Sequence, residues 1–345
     1  MLNPLSYCGI LISDMVSIEN IIKWYERKSG KVVVGSAVDR SVQISGPESI
    51  DESTPNGITF IGKKYADQVY DLVKNTKAQV IIIDTDLFEP DKTTVAKKVF
   101  LLADNPKKLL LDICEDLLRP TSELAESISP NAVISDKAVI GERVRIAPFV
   151  IIEDNVSIGD CTTIGSNTVV KANTVIGKDV RIGSCNVIGG EGFGYVKNEK
   201  SNEYEFFTHY GGVKIGNNVH IGNNTCIDRG SLKDTIIEDG VKIDNLVHIA
   251  HNVRIGENSL VIACSMIAGS VEIGENCWVA PATSVINNVK IGDGATLGLS
   301  SSITKDVEEG QIVVGNPAMD IDQFKLLRGI QKEAIKKENK GKDSK

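Results

Sequence analysis

The chain has two textures. From Ile128 onward, every sixth residue is apolar and branched: Ile128, Ile134, Ile140, Ile146, Ile152, Ile158, Ile164, Val170, Ile176, Ile182 and Ile188. The series resumes at Ile215, Ile221 and Ile227, slips by four residues, and then runs from Ile237 and Ile243 through Ile249, Ile255, Val261, Ile267, Ile273, Val279, Val285, Ile291 and Leu297 to Ile303. Glycine often follows the apolar position, as at Gly141, Gly159, Gly177, Gly222 and Gly256, where a tight corner is expected to favour a residue without a side chain.

Such a hexad predicts a parallel β-helix. One hexad makes a short strand and a corner, three close a triangular coil, and coils stack at the inter-strand spacing of about 4.8 Å with the branched residues inside. The twenty-six hexads predict eight to nine coils, and six-residue coils of this kind resemble the left-handed class. Two interruptions break the register. The longer, between Ile188 and Ile215, holds six of the fifteen Phe and Tyr residues and is expected to be a binding flap. The shorter, Asp228-Arg229-Gly230-Ser231-Leu232, is expected to bulge at a corner.

Before residue 127 the pattern mixes helix and strand. Helices are predicted over 18–28, 65–75 and 106–118, and strands over 32–34, 58–60 and 80–83. The expected fold is therefore an N-terminal α/β domain over 1–126, a left-handed parallel β-helix over 127–318, and a C-terminal helical extension over 319–345 with its helix near 321–340. From Lys325 onward eight Lys or Arg face three Asp or Glu, which suits either a solvated helix or an acidic protein partner.

Composition narrows the function. A net charge of -8 on 345 residues argues against a broad basic surface for nucleic acid. Seven cysteines, an odd number without a C-x-x-C pair, indicate neither a disulfide framework nor a zinc knuckle and fit the cytoplasm. The apolar start at residues 9–12 is too short for a signal h-region, and no stretch reaches the length of a membrane span, so no transmembrane segment is expected.

Of four histidines, His209, His220, His248 and His251, two flank the interior Ile249. His251 falls two places beyond Ile249, at a corner facing outward, where an imidazole can serve as a base. One coil of eighteen residues further lies Gly269, whose backbone N–H is expected directly above the ring, placed to stabilise an oxyanion. Asp244 is the nearest candidate to orient the imidazole. A three-imidazole zinc site from His220, His248 and His251 across a subunit boundary is a competing reading of the same residues.

The α/β domain, the hexads, the Gly192-Phe193-Gly194-Tyr195 loop, Thr225-Cys226-Ile227-Asp228-Arg229-Gly230, Asp244-Asn245 and Ala250-His251-Asn252 together resemble the UDP-3-O-acylglucosamine N-acyltransferases of lipid A biosynthesis. The resemblance implies a homotrimer with sites between adjacent β-helices. It implies that His251 takes a proton from the glucosamine 2-amine as the amine attacks a 3-hydroxyacyl thioester on acyl carrier protein. Asp244 would orient His251, Gly269 would supply the oxyanion N–H, and Asn252 and His248 would contact substrate. Phe193 and Tyr195 of the flap would join the substrate site, and Phe60 and Tyr65 would sandwich the uracil of a UDP-linked amino sugar. Beyond the carrier-bound thioester no cofactor is expected, and no metal. Where the family often has a second histidine, this chain has Asn287-Asn288. The alternatives are an acyl-CoA-dependent transferase on another nucleotide-linked amino sugar, and a scaffold without catalysis.

Overall fold

The structure, a computed structural model, describes residues 15–90, 97–118 and 127–342. Residues 9–12, the expected domain boundary at 126 and the last three residues lie outside them. The chain divides into two compact units, Met1–Ala125 and Glu126–Lys345.

The first unit is a five-stranded sheet in the order Lys31–Val34, Val99–Ala103, Val80–Asp84, Gly57–Ile61, Gly46–Pro47, with only the first pair antiparallel. Helices Ile18–Arg27 and Pro106–Ile113 cover one face, packing Ile21, Ile22, Leu109 and Ile113 on Ile58, Val80, Ile82 and Leu101. Helix Val69–Asn75 covers the other through Val69 and Val73 against Ile61, Ile81 and Phe100. With helices on both faces, all five residues of the central strand Val80–Asp84 are buried, which is why it reads as an unbroken apolar run. Strand Val99–Ala103 is not announced by pattern, because a short apolar run without alternation does not distinguish strand from helix. The expected helix over 65–75 begins as a 3-10 turn, Lys63–Gln68, before the α-helix.

The second unit is the predicted parallel β-helix. Three sheets of eleven, nine and eight short strands run along it, and partners in adjacent coils lie eighteen residues apart, as Ile140 opposite Ile158. The interior column is buried from Ile146 to Ile303, whereas Ile128 in the first coil is 41% exposed. Both interruptions loop out without breaking the stack: Ile176 pairs with Ile215, and Ile215 with Ile237. The chain ends in strand Ile312–Val314, which turns back antiparallel to Met319–Asp320 and enters helix Ile321–Lys342 within the same unit. Among the described residues no helix is long and apolar enough to cross a membrane.

The corner glycines serve a different purpose from the one expected. Apart from Gly189 (φ 85°), those after the interior residue do not adopt left-handed backbone; that conformation falls to Asn155, Asn167, Asn173, Asn224, Asn258 and their equivalents, with φ near 60°. A Cβ on Gly159 would lie 2.6 Å from the carbonyl carbon of Gly177 in the next coil. The glycine is there because the coils approach too closely for a side chain, while asparagine tolerates the left-handed turn.

Candidate active site

The site forms where strand His248–Ile249 reaches its corner. Ile249 enters the core, His248 turns outward, and the left-handed backbone of Asn252 (φ 61°) swings the chain around the corner so that His251 stands off it. In the next coil Gly269 lies against the ring: a Cβ there would sit 2.6 Å from His251 Cε1 and 2.8 Å from Nε2. The adjoining Ser270 N–H donates to the His251 carbonyl at 2.9 Å, while the Gly269 N–H has no partner among the described residues.

Asn252 holds the other edge of the ring. Its Oδ1 accepts from the Ser231 N–H at 2.8 Å, so its Nδ2 faces His251 Nδ1 at 3.0 Å and also donates to Ser231 Oγ. In this ligand-free arrangement Nδ1 is the acceptor and the neutral ring carries its proton on Nε2. Burial, and then the neighbouring imidazoles His209 and His248, hold His251 below the usual histidine range, which keeps it unprotonated at neutral pH.

The flap is a two-stranded hairpin, Tyr195–Lys197 with Tyr204–Phe206, and it returns His209 to His251. The His209 ring centroid is 5.2 Å from that of His251, nearly edge-on. His209 is buried; its Nδ1 donates to the Phe207 carbonyl at 2.9 Å, and its Nε2 has no partner among the described residues.

Several expected roles change. Asp244 does not reach His251: its carboxylate accepts from the Asn245 N–H and Nδ2 and from the Ala263 N–H, at the preceding corner of the triangle. The position beside the ring belongs to Asn252, which is buried and bonded to His251 and Ser231. His248 Nε2 lies 3.6 Å from the Asp228 carboxylate, but burial raises Asp228 to about 7 and lowers His248. With Asp228 raised and His248 lowered, neither group is fully charged at neutral pH, so the contact is weaker than a full ion pair. His220 stands on another sheet, stacked between Arg181 and Lys242, so within one chain the three imidazoles do not converge.

The uracil sandwich is not formed either. Phe60 packs with the cluster under helices Ile18–Arg27 and Pro106–Ile113, and Tyr65 with the cluster on the opposite face of the sheet. Asn288, near the position of the family's second histidine, donates its N–H to the Gly269 carbonyl at 3.1 Å. Phe193 and Tyr195 lie on the flap with ring centroids 5.0 Å apart.

Two residues of the site, His209 and Ser231, were not singled out by sequence. Ser231 was accessible to coil arithmetic: Ile227 stacks on Ile249, so the four-residue insertion that follows Asp228 lies beneath His251 and Asn252. Nothing in the spacing of His209 signals its return to His251, because the hairpin between it and Ile188 has no fixed register.

The Bacterial transferase hexapeptide (six repeats) family matches residues 155–190 and 234–269, the second span closing on the glycine stacked over His251. The chain is 45% identical over 326 residues to the UDP-3-O-acylglucosamine N-acyltransferase of Rickettsia typhi, covering 89% of this chain and 92% of that one. It belongs to the UDP-3-O-acylglucosamine N-acyltransferase family. A second member, from Rickettsia bellii, is 55% identical over 48% of this chain and 47% of its own length, so that match spans about half of the relative. Among solved structures, UDP-N-acetylglucosamine acyltransferases from Campylobacter jejuni and Bacteroides fragilis superpose with TM-scores of 0.51 at 26% and 28% identity. Each match covers 56% of this chain and 73% of the other. Membership in this N-acyltransferase family makes the protein an acyltransferase built on the hexapeptide β-helix.

Proposed function

We propose that the chain transfers a 3-hydroxyacyl group from acyl carrier protein to the 2-amine of UDP-3-O-acylglucosamine. The observation that carries this reading is the stacking of the His251 imidazole on Gly269, whose N–H is unpaired. The amine lone pair attacks the thioester carbonyl carbon, forming the C–N bond while the developing oxyanion accepts from the Gly269 N–H. His251 takes the proton that the attacking nitrogen sheds, the C–S bond breaks, and the same proton returns to the departing thiolate. To accept at Nε2 the ring has to carry its resting proton on Nδ1. The Asn252 carboxamide therefore turns its Oδ1 toward the ring, giving up the Ser231 N–H for the reaction.

Three further parts of the reading have separate support. One face of the prism carries Val133, Ile151, Val169, Val187, Cys226, His248, Met266, Ser284 and Ser302, without a lysine or arginine, and the carboxylate on it, Asp228, is buried beside His248. Another carries Lys214, Arg254, Glu272 and Lys290, so the less charged face is the one suited to a homotrimer, and it passes the site at His248. The basic C-terminal segment suits the acidic carrier protein. A cytoplasmic setting accords with exposed free thiols at Cys185 and Cys264.

The test offers the purified chain UDP-3-O-acylglucosamine with equal concentrations of 3-hydroxyacyl-carrier protein and acyl-CoA, and reads products by mass spectrometry. One added 3-hydroxyacyl amide drawn from the carrier protein is expected, with turnover reduced about 10²–10⁴-fold in His251→Ala. Preference for acetyl-CoA, or full turnover without His251, defeats the proposal.

A further inference from the structure

The flap is a two-stranded sheet with no third strand, and its Tyr195–Phe206 and Lys197–Tyr204 pairs share one face. Rings on that face form a continuous track into the base. Phe193 to Tyr195 is 5.0 Å between centroids, Tyr195 to Phe206 5.4 Å, Phe206 to His209 5.9 Å, and His209 to His251 5.2 Å. The inner end is fixed, since the His209 ring sits where a Cβ on Gly192 or Gly194 would come within 2.9 Å or 2.7 Å of it. The outer end is in water: Phe193 is 86% exposed and Tyr204 69%. An isolated two-stranded ribbon is marginal in water, and an aromatic face of this extent signals something that covers it.

Position indicates which apolar group does so. The Gly269 side of His251, along the Cε1–Nε2 edge, is where the thioester carbonyl has to lie to reach the free N–H. The flap meets the ring at its other edge: a Cβ on Gly192 would be 3.1 Å from both His251 Cβ and Cδ2. The donor's carbonyl and the flap thus approach the base from different sides, leaving the flap to the acceptor. In an acceptor of the kind named for the relatives, the acyl group sits on O3, one carbon from the amine.

We propose that the aromatic face of the flap, Phe193, Tyr195, Tyr204 and Phe206, binds the 3-O-acyl chain of the acceptor sugar. This rests on the proposed amine acylation and names the part of the acceptor that the flap reads. Apolar contact along the rings holds the chain, and its anchorage at His209 brings the amine next to His251. Each methylene fully withdrawn from water favours binding by about fourfold.

The experiment compares UDP-glucosamine acceptors carrying acetyl, octanoyl or dodecanoyl groups at O3, with one donor, in the wild-type chain and in Phe193→Ser/Tyr204→Ser. Both positions are exposed, and matching melting temperatures and sedimentation verify fold and assembly. In the wild type kcat/KM is expected to climb with chain length through KM, and the dodecanoyl-to-octanoyl ratio is expected to fall at least tenfold in the variant. An unchanged ratio overturns the inference, as does a variant that alters selectivity for the donor chain instead. Altered assembly in the variant overturns it too, because the rings then cover a second copy. Wild-type chain that acylates no UDP-amino sugar defeats the underlying reaction, an outcome distinct from normal acylation with an unchanged ratio.

Discussion

Replacing Gly269 by alanine tests the stacked imidazole directly. The new methyl would lie 2.6 Å from His251 Cε1, 2.8 Å from Nε2 and 3.2 Å from Nδ1. Carbon contacts prefer about 3.5–4.0 Å, so the ring has to retreat by roughly 1 Å. The fold tolerates this: Gly269 is not in the left-handed region, and the group that yields is the end of a side chain. A displacement of that size at a reacting group costs about 10²-fold, or about 2.7 kcal/mol of transition-state stabilisation. Product formation over a substrate series gives kcat/KM, and thermal denaturation of the same preparation gives Tm. The expected result is a loss of about two orders of magnitude in kcat/KM with Tm nearly unchanged. Wild-type turnover in Gly269→Ala refutes the reasoning, because the ring then does not work from the position in which it is stacked.

Asn252→Asp places a carboxylate that can accept from Ser231 and from His251 Nδ1–H together, fixing the tautomer with a bare Nε2 and adding an opposite charge. Since burial holds His251 low, the acid limb of the pH–rate profile should move upward by about one unit with the maximal rate retained; an unmoved limb contradicts the tautomer argument. Asp228, raised by burial to about 7, contributes stability that is fully present below the unfolded carboxyl value and is lost as pH rises through about 7, at up to about 1.4 kcal/mol per pH unit. Asp228→Asn removes that loss, so its Tm advantage over wild type should grow from pH 5 to pH 8, and an advantage equal at both shows the carboxyl is not perturbed. Leu246 holds φ at 60° in a turn where Asn224 occupies the equivalent place one coil earlier. Leu246→Asn should raise stability by about 1 kcal/mol in denaturant unfolding, and a loss of stability argues that the leucine side chain has a partner.

The β-helix was legible because its cause is local and repeated. A branched residue every sixth position, from Ile146 to Ile303, is buried by stacking on its own equivalents, so the period alone states which side chains form the core. The same arithmetic placed Gly269 over His251, since a coil of fixed length converts sequence separation into distance. Where no period operates, the sequence said less. Phe60 and Tyr65 are five positions apart, yet strand alternation and the turn after it send them to opposite faces of the sheet. Asp244 had the right chemistry to orient an imidazole, but the triangular cross-section puts it around a different corner, and Asn252 bonds the ring instead. The return of His209 to His251 depends on a hairpin whose length and pairing no repeat dictates. Sequence by itself determined the stacked prism and the residue that stands on its corner, because those follow from short-range geometry repeated coil after coil. Tertiary structure alone decided which groups surround that residue, because they are drawn together by two insertions that obey no repeat.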